Sequence, residues 1–186
     1  MTLILFLSHS SAQAAADDRV YKLKAGFLYN FIKIIEWPQA SVDDSSDPWV
    51  IGIVGKDPFS THFDNITAKP IKGRTVVIKR YPTMADVHRG LEISQEQPSP
   101  DAARVTGCHV LFICDVKKAD LLKIIEIVKG YPVLTVGETK GFLKAGGLVN
   151  FLTSKKTSGF EINHTMAKKV KIVISSKLLR MAKKVI

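Results

Sequence analysis

Residues 108–136 read CHVLFICDVKKADLLKIIEIVKGYPVLTV, and within them the hydrophobic period changes twice. Cys108 to Ile113 is a short apolar run of the kind that forms a strand buried on both faces. From Lys117 to Lys129 the apolar positions Leu121, Leu122, Ile124, Ile125 and Val128 form a wide helical stripe, and Gly130 is a natural terminator. Pro132 to Val136 is apolar and rich in β-branched residues again. Strand, helix and strand in this order make the crossover unit of a parallel sheet.

The preceding residues repeat the rhythm. Trp49 to Gly55 (WVIGIVG) reads as a buried strand, and Asp57-Pro58 opens a helix with Phe59, Phe63 and Ile66 on one side. Thr75 to Tyr81 is the next strand, and Thr83 caps a helix carrying Met84, Val87 and Leu91. Gln95 to Thr106 is a polar loop. Beyond Gly137, Leu148 to Leu152 and Phe160 to Asn163 form a hairpin at a sheet edge. Asn163 then caps a helix, Lys171 to Ile174 is a short strand, and Ser176 to Lys184 is a basic helix burying Leu178, Leu179 and Ala182. The expected fold is α/β: a three-layer sandwich whose central, largely parallel or mixed sheet comes from two strand-helix-strand units plus the C-terminal hairpin and helix.

At the other end, Val20, Leu23, Phe27, Leu28, Phe31, Ile32 and Ile35 fall three and four apart, which predicts a helix over Arg19 to Glu36 that stops before Pro38. Gln39 to Pro48 is a loop. Thr2 to Leu7 (TLILFL), followed by small residues with a cleavage pattern at Ala12-Gln13-Ala14 or Ala14-Ala15-Ala16, reads as the end of a secretory signal peptide. The organisation expected is residues 1–16 as signal peptide, possessing fewer apolar residues than usual, and residues 17–186 as one domain. No stretch is long and apolar enough to span a membrane.

The net charge of +10 is uneven: nine basic residues and one acid, Glu161, fall between Lys155 and Ile186. A general nucleic-acid binder is not implied; the basic cluster reads first as a solvated face, and its other reading is a local contact with an acidic partner or anionic headgroups. His9, His62, His88, His109 and His164 show no metal-ligand spacing, and no phosphate-binding loop, dinucleotide fingerprint or nucleophile elbow occurs, so no cofactor is expected. On one strand, Cys108 and Cys114 would share a face roughly 20 Å apart, too far for a disulfide. They are expected as buried inert thiols, free or paired between molecules. Cys114-Asp115 sits at a strand end, where α/β sites cluster, but no base accompanies it.

The assembled residues resemble the YfiR-like family of periplasmic proteins. The blocks that carry the resemblance are Lys24-Ala25-Gly26-Phe27-Leu28-Tyr29-Asn30-Phe31-Ile32-Lys33, Glu36-Trp37-Pro38, Gly55-Lys56-Asp57-Pro58-Phe59, Gly73-Arg74, Cys108 to Ile113 and Val133 to Val136. Later come Gly141-Phe142 with Gly146-Gly147, Phe160-Glu161-Ile162-Asn163 and Ile174 to Leu179. The resemblance implies a non-catalytic, often dimeric periplasmic regulator. In the family, contact with the periplasmic sensor domain of an inner-membrane diguanylate cyclase keeps that enzyme inactive and lowers cyclic di-GMP and biofilm formation. Family members carry disulfide-linked cysteine pairs, but only Cys108 matches such a position here.

Partner contact is expected from Phe142, Phe151 and Glu161, if strand alternation leaves them exposed, and from Lys177 and Arg180 on the basic helix. The competing reading puts both aromatics in the core. A homodimer and peripheral contact with a membrane surface are further expectations. The alternative function is a periplasmic small-ligand binder that uses the Gly-rich loops as its pocket and presents its ligand to a sensor kinase or outer-membrane receptor.

Overall fold

Both odd and even residues of β2 (Trp49–Val54) are buried, as are all four of β4 (Val110–Ile113) and all four of β5 (Leu134–Gly137). Only a sheet covered on both faces buries every position of a strand. The structure, a computed structural model, describes residues 8–38, 47–92, 104–154 and 157–186. It shows the expected three-layer α/β architecture. With β3 (Val76–Tyr81), β6 (Val149–Ser154), β7 (Thr157–Ile162) and β9 (Lys184–Val185), the central sheet has the order β3-β2-β4-β5-β6-β7-β9. Neighbours from β3 to β6 are parallel, β6 and β7 are antiparallel, and β7 and β9 are parallel.

On one face α1 (Ser8–Ile34) packs Leu28, Phe31 and Ile32 against Ile51, Ile53, Phe112, Val136, Phe151 and Phe160. On the other, α3 (Met84–Glu92) and α4 (Lys118–Ile127) bring Val87, Leu121 and Ile124 against Val54, Leu111 and Ile113. Thr83 starts α3 through a reciprocal pair: its hydroxyl oxygen accepts from the Asp86 N–H at 3.2 Å, and the Asp86 carboxylate accepts from the Thr83 N–H at 3.0 Å. Asn163 caps α5 (His164–Lys169) by accepting from the Met166 N–H at 3.0 Å. A second, two-stranded sheet joins the ends of the chain: β1 (Ile35–Glu36) pairs antiparallel with β8 (Val173–Ile174).

Several sequence expectations need correction. The N-terminal helix stops at Ile34, because Ile35 and Glu36 find ladder partners in Ile174 and Val173. Leu23 is 55% exposed; the position turned toward the sheet is its neighbour Lys24. Asp57 starts a turn rather than a helix, its carboxylate accepting from the Phe59 N–H at 2.7 Å, and the helix that follows, α2 (Asp64–Thr67), is one turn long. Phe59 and Phe63 are nevertheless buried. Leu122 on α4 is exposed. The basic helix, α6 (Ser176–Met181), ends before Lys183, and Lys184 joins β9, which lies outside the hairpin and makes the sheet edge. The expected signal peptide begins in residues 1–7 and the loops at 39–48 and 95–106 run largely through 39–46 and 93–103, all outside the described residues; so does the hairpin turn at Lys155-Lys156.

Cys108 and Cys114 do not share a face. The ladder of β4 begins at Val110, after a 3-10 turn at Val105–Gly107, so Cys108 packs with the α3 and α4 side and Cys114 with the α1 side. Both thiols are free and buried.

Candidate functional site

The strand order reverses between β2 and β4: β3 lies to one side of β2, and β4 and β5 continue on the other. In open α/β sheets the carboxyl ends of the strands flanking such a reversal leave a crevice. Here the crevice is a cleft of about 360 Å³. Lys56, Asp57 and Pro58 follow β2, Cys114 and Asp115 follow β4, Glu138 and Thr139 follow β5, and Tyr21 on α1 closes one side.

Glu138 is its electrostatic centre. Lys24 is buried and forms an ion pair with Glu138 Oε2, while the Tyr21 hydroxyl donates to Oε1 at 3.0 Å. The Lys24 ammonium also stands 4.4 Å from the centre of the Tyr21 ring. Burial first, and then the Glu138 carboxylate, push the Tyr21 phenol above its ordinary range. Asp57 is held from the β3 side by Arg80 at 2.7 Å. Asp115 turns the chain with φ 49°, a left-handed conformation that Asp adopts more readily than most residues.

Cys114 forms the floor. Its Sγ donates to the Lys56 carbonyl at 3.2 Å, and Gly55 passes so close that a Cβ there would stand 2.0 Å from the Cys114 carbonyl oxygen. Burial, followed by the charges of Glu138, Asp57 and Asp115, pushes the Cys114 thiol up to about 12. A thiol so raised is a poor nucleophile, which opposes an enzyme built on Cys114. Among the described residues no group of three His, Cys, Asp or Glu side chains is placed to hold a metal ion.

The residues expected at a partner surface separate into two groups. Lys177 and Arg180 are exposed on α6, and Glu161 is half-buried on β7 opposite Asn150. Phe142 and Phe151 are core residues, 1% and 4% exposed, and their reading as exposed contacts is corrected. Phe151 faces α1, stacked with Phe31 at 6.2 Å between ring centres, and Phe142 lies beneath the other face with Leu143. The Gly146 loop borders an apolar cavity of about 200 Å³, below the roughly 300 Å³ at which small-molecule pockets begin.

Sequence reasoning missed the Lys24–Glu138 pair. Its signal was present: Lys24 stands four residues after Val20 and four before Leu28, a charge set into the apolar stripe. On a helix such a residue needs a buried counter-charge.

A polar cleft lined by Tyr21, Lys56, Asp57, Asp115 and Glu138 lies on a doubly covered sheet, and Lys177 and Arg180 are exposed on α6. Residues 21–183 match the family described as YfiR/HmsC-like, and the chain belongs to that family. It is a periplasmic, regulatory and non-catalytic family that acts in cyclic di-GMP signalling. No curated protein matches the chain. Among the described residues no helix is long and apolar enough to cross a membrane.

Proposed function

We propose that this chain binds the periplasmic sensor domain of an inner-membrane diguanylate cyclase and holds the cyclase inactive, lowering cyclic di-GMP and biofilm formation. One observation carries the reading: the match to a family of regulators extends over residues 21–183, from the first buried turns of α1 to the residue before β9. The thiols support it, since both are buried and Cys114 is pushed up to about 12, which leaves the cleft without a reactive nucleophile. Lys177, Arg180 and Glu161 are the proposed contacts. Repression is then a population shift, and a preference of about 10⁴-fold for the inactive cyclase takes it from nearly all active to nearly all silent.

Export follows from cleavage near Ala14 or Ala16, and the family match beginning at residue 21 supports a mature domain that starts shortly after. A homodimer belongs to the same proposal. The support is an open groove along α1 lined by Leu23, Gly26, Phe27 and Asn30, where apolar side chains meet solvent. Peripheral contact with anionic headgroups through Lys177 and Arg180 is proposed as well.

The test is cellular cyclic di-GMP in a deletion strain and in that strain complemented from a plasmid. The expected result is a rise that complementation reverses. Unchanged cyclic di-GMP in cells that express the gene overturns the proposal. A second reading, presentation of a small ligand to a membrane receptor, is favoured by the cleft around Glu138, and a ligand-dependent rise in Tm that Glu138→Gln abolishes supports it.

A further inference from the structure

Arg74 is 7% exposed, and no carboxylate among the described residues pairs with it. It follows the tight turn Ile71-Lys72-Gly73, closed by main-chain hydrogen bonds in both directions between Ile71 and Arg74. The turn is fixed to β2, because the Trp49 indole donates to the Ile71 carbonyl at 3.0 Å. The guanidinium lies 4.2 Å from the centre of the Trp49 ring, and its Nε donates to the main-chain carbonyl of Asp47. No ion pair joins the Arg74 and Asp47 side chains. Of the five N–H donors of a guanidinium, the described residues engage the one on Nε.

A buried cation is costly unless a counter-charge offsets its lost hydration. Arg74 also borders a cavity of about 370 Å³ at the amino ends of the strands, the sheet edge opposite the Glu138 cleft. Pro48, Val50, Tyr131 and Pro132 supply its apolar wall, and His109 stands in the lining. The His109 ring lies 4.6 Å from the Trp49 ring, and its Nδ1 accepts from the Val50 N–H at 3.1 Å. Asp47 also lines the cavity but is exposed, so the buried charge on its wall is the Arg74 guanidinium, which favours an anion, and the volume falls within the range of small-molecule pockets.

We propose that this cavity binds a small organic carboxylate. The carboxylate lies on the part of the Arg74 fork that no described residue engages, for which a planar two-oxygen acceptor is the natural partner. Its apolar body rests on Pro48, Pro132 and Tyr131. The inference concerns a different edge of the sheet from the proposed partner contacts, and its test reads binding alone.

Benzoate is titrated into the full chain while tryptophan fluorescence is recorded, with benzyl alcohol as the uncharged control. Because Trp49 stacks on Arg74, occupancy changes its emission. The expected result is a saturable change with benzoate below about 50 mM, the range that so small a ligand requires, and none with benzyl alcohol. Arg74→Met, which keeps a stem over Trp49, is expected to weaken binding by about tenfold or more. Tyr131 is half exposed, so Tyr131→Ala leaves the fold intact and is expected to weaken binding several-fold, which keeps the test available should Arg74→Met fail to fold. No saturable change, equal responses to the two probes, or unaltered benzoate affinity in folded Arg74→Met or in Tyr131→Ala overturns the proposal.

Discussion

The ring of Phe142 lies against the backbone of Gly147 so closely that a Cβ on that glycine would stand 2.1 Å from the ring. Gly137, at the end of β5, approaches the same ring, and its would-be Cβ stands 2.4 Å away. The two glycines leave the space that Phe142 fills, and the ring joins the loop after β5 to the start of β6. Gly147→Ala forces the ring or the strand to move, and the expected loss is about 1–3 kcal/mol. Phe142→Ala leaves a cavity and is expected to cost about 3–5 kcal/mol. Urea unfolding measures both, and a Gly147→Ala variant as stable as the parent would show that the ring is not held there.

Lys24 and Glu138 are predicted to be strongly coupled. Removing the carboxylate alone leaves a buried ammonium without its partner, so Glu138→Ala should destabilise the domain by about 3–5 kcal/mol. Lys24→Met alone exposes the opposite imbalance, but Glu138 is closer to solvent and the Tyr21 hydroxyl still donates to it, so the loss should be smaller. The double variant removes both charges and is expected to recover part of the Glu138→Ala deficit. Additive effects in this cycle would mean that the two charges act independently.

The parts of this fold that a sequence reader finds are those written in a period. WVIGIVG and CHVLFIC declare themselves as buried strands, TVVIKRY as a strand that proves half-buried at the sheet edge, and the stripe on α4 marks its helix. β1 and β9 are two residues long, and no periodicity exists in so short a span, whereas β8, equally short, falls inside the Lys171 to Ile174 run that reads as a strand. β1 and β9 form where tertiary neighbours offer unpaired backbone, which is why both terminal helices stop short of the C-terminal bounds expected for them. Alternation also misleads when its phase slips: the turn at Val105–Gly107 shifts Cys108 to the face opposite that expected, with the Tyr81 hydroxyl 3.6 Å from its sulfur. The cleft was legible only as strand ends, because Lys24 and Glu138 are 114 positions apart and meet only once α1 lies across the sheet.

The two thiols make stability fall at high pH. Burial pushes Cys108 up to about 12, with the Tyr81 hydrogen bond opposing, and Cys114 also to about 12, from an ordinary value of 9.0. Above pH 9.0 the unfolded chain releases these protons and the folded chain keeps them, so the unfolded state gains. Stability from this source is full below pH 9 and is lost progressively toward pH 12, and a Cys108→Ala/Cys114→Ala variant should show a shallower decline in Tm over that interval. The same burial predicts slow labelling by iodoacetamide at pH 8 in buffer and rapid labelling in denaturing urea. Equal rates would place at least one thiol within reach of solvent.

Partner contact and core packing predict opposite outcomes for residues drawn from the same late blocks of sequence. Phe151 lies among Phe27, Phe31 and Phe112, so Phe151→Ala should cost about 3–5 kcal/mol, seen as a large drop in Tm. Any rise in cellular cyclic di-GMP in that strain would then accompany a fall in protein abundance. Lys177 and Arg180 are exposed on α6, whose packing rests on Leu178. Lys177→Glu/Arg180→Glu should therefore leave the unfolding free energy within about 1 kcal/mol of the parent, since exposed charges contribute little to stability. If α6 meets an acidic surface of the cyclase's sensor domain, the reversed charges repel it, and cyclic di-GMP rises at unchanged protein abundance. Full repression by the charge-reversed variant, at normal abundance, would move the contact away from α6 and leave Glu161 as the residue to change next.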